Sequence, residues 1–209
     1  MTDIRLTYGL LNNDDVKDLK EALVMPISKL ETLHLNVNKI TSLGTKYLKK
    51  AMESRHCQLR ILRLSGNAIG DDGVKYLCQA LVSNNCKLQG LEMGKVGLTH
   101  DGGIHLAEAL TSIQCKLNHL NVKKNQLTHV GIIYLIKSLD SDNCKLASLY
   151  ISNNGVTSHG AIELAQTLKS KSTNNHGEPF GDVNHLADHI LDPKGKRIDF
   201  PTSKTHLYF

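Results

Sequence analysis

The sequence is poor in aromatic residues and proline, and it contains no long hydrophobic run. Of its 209 residues, 4% are aromatic, none is tryptophan and four are proline. It has no stretch of 18 consecutive apolar residues, which excludes a transmembrane helix. The first 15 residues lack a basic patch followed by an apolar stretch, so we expect no cleavable signal peptide.

Charge of one sign is only slightly in excess. Lysine and arginine number 25 against 20 acidic residues, and a net charge of +5 is too small to indicate a nucleic-acid partner. The five cysteines are an odd number in a chain too long for a disulfide mini-scaffold, which favours reduced thiols and a cytoplasmic location. Hydrophobic residues make up 40% of the chain, enough for a buried core.

Catalytic motifs are also missing. The sequence has no nucleophile elbow, no P-loop, no paired carboxylates at helical spacing and no metal-ligand spacing of known type. His185 and His189 stand four residues apart, but the glutamate of a metalloprotease motif is absent between them. We therefore expect a protein that is not an enzyme and that binds no cofactor and no metal.

A repeat of 29 residues organises the first 170 positions. Segments of the form L-x-x-L-x-[LMVI] begin at Leu30, Leu59, Leu88, Leu117 and Leu146. One period before Leu30, a degenerate first unit has apolar residues at the same positions, namely Met1, Ile4, Leu6 and Leu11. Self-similarity at a fixed period is typical of a solenoid, here with six units.

Each unit has the pattern of a strand, a turn and a helix. Alternating apolar residues predict a short strand, and apolar residues at helical spacing after a recurring glycine predict an amphipathic helix. Threonine precedes four helices as a candidate N-cap, at Thr41, Thr99, Thr128 and Thr157. The turn contains asparagine at Asn38, Asn67, Asn125 and Asn154. Val96 replaces this asparagine in the fourth unit, which predicts an irregular turn there.

The pattern L-x-x-L-x-L-x-x-N-x-I followed by a full helix resembles the ribonuclease-inhibitor type of leucine-rich repeat. That type also occurs in NOD-like receptors and in Ran GTPase-activating proteins. The resemblance covers residues 1 to about 170 and implies an α/β fold. The expected architecture is a right-handed solenoid in a horseshoe arc of six 29-residue units, with a parallel sheet on the concave face and helices on the convex face.

The repeat ends near residue 170. All three phenylalanines and three of the four prolines follow that point. We therefore expect two parts, a solenoid over residues 1–170 and a C-terminal part over residues 171–209. Apolar residues at helical spacing predict a cap helix over 183–191, and the remaining tail is expected to be irregular, with extended structure around 198–200.

The outward side of the strands is the candidate binding surface. Within L-x-x-L-x-L-x-x, the outward side chains are those of the third, fifth and seventh positions. The residues predicted to bind a partner are Arg5, His34, Arg63, Glu92, Asn121, Lys123 and Tyr150. Arginine and tyrosine are favoured interface anchors, so Arg63 and Tyr150 are the strongest candidates. Gly90 and Gly94 leave a gap in the middle of this surface that suits a protruding partner element.

These features favour a protein-protein interaction module that binds its partner through the concave face, as an adaptor, an inhibitor or a host-targeting effector. One alternative is a regulator of a GTPase. Another is a charge-driven binder of nucleic acid or of a membrane surface, through a column of lysines at Lys29, Lys87, Lys116 and Lys145.

Two further expectations concern assembly and location. No polar cap precedes the first strand, so the N-terminal edge is a candidate surface for self-association. The repeats also resemble those of effector proteins that intracellular bacteria deliver into host cells. That resemblance implies a second possible location, the cytoplasm of a host cell.

Overall fold

The computed structural model describes residues 2–171 and 206–208, in which strands and helices alternate along the chain up to the sixth helix. The strands are β1 (Asp3–Arg5), β2 (Thr32–His34), β3 (Ile61–Arg63), β4 (Gly90–Glu92), β5 (His119–Asn121), β6 (Ser148–Tyr150) and β7 (His206–Tyr208). The helices are α1 (Asn13–Leu23), α2 (Ser42–Met52), α3 (Gly70–Leu81), α4 (His100–Leu110), α5 (Thr128–Ser138) and α6 (Ser158–Lys171).

The strands form one parallel sheet in sequence order, from β1 at one edge to β7 at the other. From β1 to β6 the register advances by one period at each step, so that Leu33 lies opposite Leu62 and Leu62 lies opposite Leu91. Each helix packs against the next helix along the chain. The structure therefore confirms the α/β solenoid of six stacked units that the 29-residue period predicts.

The core is a set of apolar columns that run along the stack. The middle residue of each strand from β2 to β6 is 0% exposed: Leu33, Leu62, Leu91, Leu120 and Leu149. The helices contribute a second column at 0% exposure: Leu48, Leu77, Leu106, Leu135 and Leu164. Because each unit packs its apolar residues against the next unit, the hydrophobic core is continuous from α1 to α6.

The turn asparagines bond neighbouring units together. The Nδ2 of Asn125 donates to the carbonyls of Met93 and Val122, both at 2.9 Å. Its Oδ1 accepts from the backbone N–H of Val96 at 2.9 Å and of Leu98 at 3.2 Å. The other three make similar bonds, at Asn38, Asn67 and Asn154. Each side chain therefore satisfies backbone groups of its own turn and of the preceding unit.

The turn at Val96 keeps the left-handed residue found in the other units, but it differs from the turns at Asn38, Asn67 and Asn125 in a second left-handed residue, Gly97, with φ of 77°. Val96 is buried, and its N–H is held by Asn125 of the following unit. The preceding residue, Lys95, has φ of 55°, and its N–H donates to the Lys123 carbonyl at 3.0 Å. The residues at the same position of the other units also have positive φ: Tyr8, Val37, Gly66, Lys124 and Asn153. The neighbouring unit and this shared backbone conformation therefore preserve the turn.

Three of the four predicted threonine N-caps are confirmed. The hydroxyls of Thr41, Thr99 and Thr157 accept hydrogen bonds from backbone N–H groups in the first turns of their helices. The prediction is wrong for Thr128, which has φ of 55° and is the first residue of α5. Gly70, which stands at the same repeat position two units earlier and begins α3, also has positive φ. These two helices thus begin from a left-handed residue instead of a capped one.

A strand at the end of the chain extends the sheet. β7 pairs in parallel with β6, and Leu207 lies opposite Leu149, two 29-residue periods earlier in the sequence. The repeat pattern does not predict this strand. The expected cap helix over 183–191, the extended segment around 198–200 and the pair His185 and His189 all lie outside the described residues.

The left-handed start of α5 predicts the effect of a glycine at Thr128. We expect Thr128→Gly to raise the free energy of unfolding by about 0.5–1 kcal/mol. A left-handed conformation costs a residue with a side chain roughly 1–2 kcal/mol, and the entropy of glycine in the unfolded chain offsets part of that gain. Urea unfolding followed by far-UV circular dichroism measures the change.

Thr99→Gly is the matched control because it makes the same substitution at the same repeat position. Thr99 has extended backbone, its hydroxyl donates to Asp71 Oδ2 at 2.6 Å, and it accepts from the Asp101 N–H at 3.3 Å. Losing these bonds should lower the free energy of unfolding by about 1 kcal/mol. If both variants shift stability in the same direction, the conformational explanation is wrong.

The asparagine turn predicts a second, larger effect. Asn125→Ala should lower the free energy of unfolding by roughly 2–4 kcal/mol, because buried backbone groups lose their hydrogen-bond partner. Asn121→Ala, on the half-buried strand surface, serves as the control and should cost less than about 1 kcal/mol. Equal losses in urea unfolding would contradict the structural role of Asn125.

Candidate functional site

The first and last residues of β1 to β6 point away from the core, and we call this surface the sheet face. Strand pairing aligns its last residues in one row across the sheet: Arg5, His34, Arg63, Glu92, Asn121 and Tyr150. The middle residue of each strand from β2 to β6 is buried in the core instead. Six of the seven predicted site residues stand in this row, and the seventh, Lys123, follows the end of β5 by two residues.

Asp3 joins two basic residues at the N-terminal end of the sheet face. Its carboxylate lies 3.3 Å from the Arg5 guanidinium and 3.6 Å from His34 Nε2. Arg5 is well exposed, with 72% of its side chain accessible, whereas His34 has only 11% accessible. Of the two basic residues predicted here, Arg5 can contact a partner and His34 offers little surface.

An ion pair occupies the centre of the sheet face. Arg63 Nε lies 3.3 Å from Glu92 Oε1, with the two side chains 38% and 20% exposed. The Nε atom is itself buried and has no hydrogen bond of good geometry within the described residues. The contact is therefore electrostatic rather than a well-aligned hydrogen bond, and it presents charges of both signs side by side.

A cluster around Tyr150 occupies the C-terminal part of the sheet face. The Lys123 ammonium lies 4.7 Å from the centre of the Tyr150 ring, and the His119 ring lies 5.1 Å from it at an angle of 50°. His119 Nδ1 is 2.9 Å from the Ser148 hydroxyl. Tyr150 is thus held by an aromatic neighbour and a cation, both of which are favourable contacts for a tyrosine ring.

The remaining predicted features occupy the same surface. The Oδ1 of Asn121 accepts from the Lys123 backbone N–H at 3.1 Å. The gap expected at Gly90 and Gly94 is partly filled by the side chain of Ile61. A β-carbon placed on Gly90 would lie 3.5 Å from that side chain. Sequence reasoning did not select His119 or Asp3 as site residues. His119 lies diagonally across from Tyr150 on the neighbouring strand, and Asp3 lies beside Arg5 on the same strand. These positions could have identified both residues from the sequence.

Comparison with known proteins identifies the repeat. The family model described as Leucine Rich repeat matches residues 55–78 and 142–165. The chain contains leucine-rich repeats. No curated protein matches the sequence.

Three lysines of the column form hydrogen bonds between neighbouring leucine-rich repeats. Lys116 Nζ donates to the Cys86 carbonyl at 2.9 Å, and Lys145 Nζ donates to the Ile113 carbonyl at 3.3 Å. Lys87 Nζ donates to the side chain of Gln58 at 2.8 Å. Each of these acceptors belongs to the preceding repeat. The column therefore stabilises contacts between repeats, which reduces the charge that it offers to an external partner.

A second column consists of cysteine thiols. Cys57, Cys86 and Cys115 are buried one per repeat, Cys144 is half-buried, and Cys78 is buried on α3. None of the five is in a disulfide. Burial raises the pKa of every thiol, for Cys86 to about 11, since an apolar environment disfavours the thiolate. These thiols behave as apolar core residues.

The described part of the chain contains neither a metal-binding cluster nor a membrane-spanning helix. Among residues 2–171 and 206–208, no group of three or more histidine, cysteine, aspartate or glutamate side chains is placed to hold a metal ion. A search of the same residues finds no helix with the length and apolar character to cross a bilayer. The sheet face is therefore the best-supported candidate site in the described residues.

The raised thiol pKa values predict slow alkylation of the folded protein. Iodoacetamide at pH 8 should modify Cys144 first and the buried cysteines far more slowly, since the thiolate is the nucleophile and burial suppresses it. The modification rate of Cys86 should still rise above pH 9, whereas in urea it should level near pH 8.5. Mass spectrometry of timed samples tests both, and equal rates with and without urea would contradict a buried column.

Proposed function

We propose that this protein is a protein-protein interaction module that binds its partner through the sheet face, on the concave side of the solenoid. Its roles would be those of an adaptor, an inhibitor or a host-targeting effector that acts in the cytoplasm. The observation that carries the proposal is the row of charged, polar and aromatic side chains that the strand register aligns from Arg5 to Tyr150.

Tyr150 supports the proposal as an anchor. Its contacts with His119 and Lys123 restrict its ring before any partner arrives. A side chain that is already ordered loses less conformational entropy on binding, so more of the contact energy contributes to affinity. Tyrosine is also among the residues that most often dominate binding energy at interfaces.

The pair of Arg63 and Glu92 supports a role in recognition. Both side chains are partly enclosed, so a partner that covers them would desolvate two charges together. Such a pair discriminates strongly among partners, because only a surface of complementary charge compensates for the lost hydration. The exposed Arg5 near the edge adds a charge that attracts an acidic surface during encounter.

Two observations bear on the alternatives and on the compartment. The lysine column supports charge-driven binding of nucleic acid or membrane less well, since three of its side chains donate to acceptors in the preceding repeat. Regulation of a GTPase has only the resemblance of repeat type in its favour. Five unpaired cysteines support a reducing compartment such as the cytoplasm.

The proposal predicts that a double substitution on the sheet face abolishes capture of a partner. Wild type and Arg63→Glu with Tyr150→Ala are used as baits in eukaryotic cell lysate, and the captured proteins are quantified by mass spectrometry. We expect at least a tenfold loss of the specific partner, because the variant removes an anchor and reverses a central charge. Far-UV circular dichroism confirms that the variant is folded.

A matched control carries the same kinds of substitution away from the sheet face. Arg55 follows α2 and Tyr134 lies on α5, and both are exposed. Arg55→Glu with Tyr134→Ala should capture the partner as well as wild type does. An unchanged set of proteins with the sheet-face variant, or an equal loss with the control, would mean that recognition lies on another surface.

A further inference from the structure

Among residues 2–171 and 206–208, β1 lies at the edge of the sheet, and the direction of its backbone groups on the outer side is known. The Thr2 carbonyl and the N–H groups of Leu6 and Tyr8 bond to β2 and to the residues that flank it. Because successive residues of a strand direct their backbone groups to opposite sides, those of Asp3 and Arg5 face away from β2. Within the described residues, no element pairs with this side of β1.

An apolar groove lies beside the same edge. It has a volume of about 300 Å³ and runs between β1, α1 and the loop that follows α1. Ile4, Leu19 and Met25 are among its lining residues, and Ile27 on its rim is 84% exposed. This is the side of the first repeat that corresponds to the surfaces buried between repeats elsewhere in the stack. A strand edge and a core-like surface are therefore exposed together.

We propose that a second copy of this chain covers this edge, with the two β1 strands paired antiparallel about a two-fold axis at Ile4. In that arrangement Asp3 of one copy lies opposite Arg5 of the other, and the symmetry repeats the pair. Opposite charges directly across an antiparallel pair are favourable. The short sequence Asp3-Ile4-Arg5 is thus complementary to itself, which is the requirement for a two-fold symmetric contact.

The backbone direction agrees with the same axis. Asp3 and Arg5 are the residues whose N–H and C=O groups face outward, so each Asp3–Arg5 pair across the axis is a hydrogen-bonded pair of an antiparallel ladder. Ile4 then meets Ile4 of the second copy in the position between them. Backbone pairing and charge pairing therefore require one and the same register.

The groove adds apolar area to this contact. A two-fold axis perpendicular to the sheet places the sheet faces of both copies on one side and both α1 helices on the other. The groove residues beside Ile4 then face their counterparts and lose contact with water. Asp3 and Arg5 already form an ion pair within one copy. Replacing that pair by pairs between copies costs little free energy, because both side chains are exposed and such pairs contribute little to stability.

Charge-reversal variants test the register directly. In sedimentation equilibrium, the 209-residue wild type should shift with concentration from 23.1 kDa to twice that mass. Asp3→Arg alone and Arg5→Asp alone should each remain monomeric, because like charges then face each other across the axis. Mixing the two variants should restore the dimer, since one copy then carries two arginines and the other two aspartates.

Arg55→Asp is the matched control and should dimerise as wild type does, because it reverses an exposed charge far along the chain from β1. A wild type that stays monomeric at all concentrations overturns the proposal. A dimer that survives both reversals, or variants that do not dimerise when mixed although circular dichroism shows them folded, also overturns it. If either reversal unfolds the protein, Ile27→Lys on the groove rim replaces it, and dimerisation unchanged by that substitution counts against the proposal.

This test is independent of the partner proposed for the sheet face. It uses the purified chain alone, so its failure would leave the binding of another protein by Arg63 and Tyr150 unaffected. Conversely, a wild-type dimer would form whether or not that partner exists. Capture of a different protein at the β1 edge by a monomeric wild type would show another occupant and overturn pairing between copies.

Discussion

Every repeat of this protein depends on its neighbour to bury apolar surface. A three-residue strand and an eleven-residue helix have too little area to form a core alone, so each leucine column is sheltered only when the next unit is in register. The backbone depends on the neighbour in the same way. The side chain of Asn125 bonds to groups of two units, and Lys116 donates to the carbonyl of Cys86 in the unit before it. Register between units is thus the constraint on which the fold rests.

The same constraint separates what must stay constant from what can vary. Most residues that point into the stack are apolar or asparagine, because each packs or bonds against its counterpart one period away. Residues on the sheet face meet solvent, so their identity changes from strand to strand while the register fixes where they stand. Arg63 and Glu92 become neighbours for this reason, although 29 residues separate them in sequence. A rigid scaffold with a variable surface is suited to recognition.

Period and alternation were sufficient to predict the solenoid, its buried columns and the residues of the sheet face, because these depend on position within the repeat alone. Features that depend on a neighbour's particular side chain were not predictable in this way. At the Val96 turn the Asn125 side chain of the next unit bonds to the backbone, and α5 begins from left-handed Thr128 although Thr99, at the same position, is a cap. His119 joins the site only because Tyr150 occupies the next strand. β7 follows a segment that breaks the repeat: Leu207 lies two periods after Leu149, but the unit expected between them lacks the leucine pattern, so the sequence did not indicate the strand.

The two edges of the sheet differ in what they offer to another strand. β7 has the sequence His206-Leu207-Tyr208, and antiparallel pairing of two such strands about Leu207 would place His206 opposite Tyr208, with no opposite charges to fix the register. β1 instead carries an acid and a base on either side of its central apolar residue. Register in a sheet is weakly specified unless side chains select it, and an unselected edge is prone to slippage. The charge pattern of β1 supplies that selection, which is why the N-terminal edge is the one suited to a specific pairing.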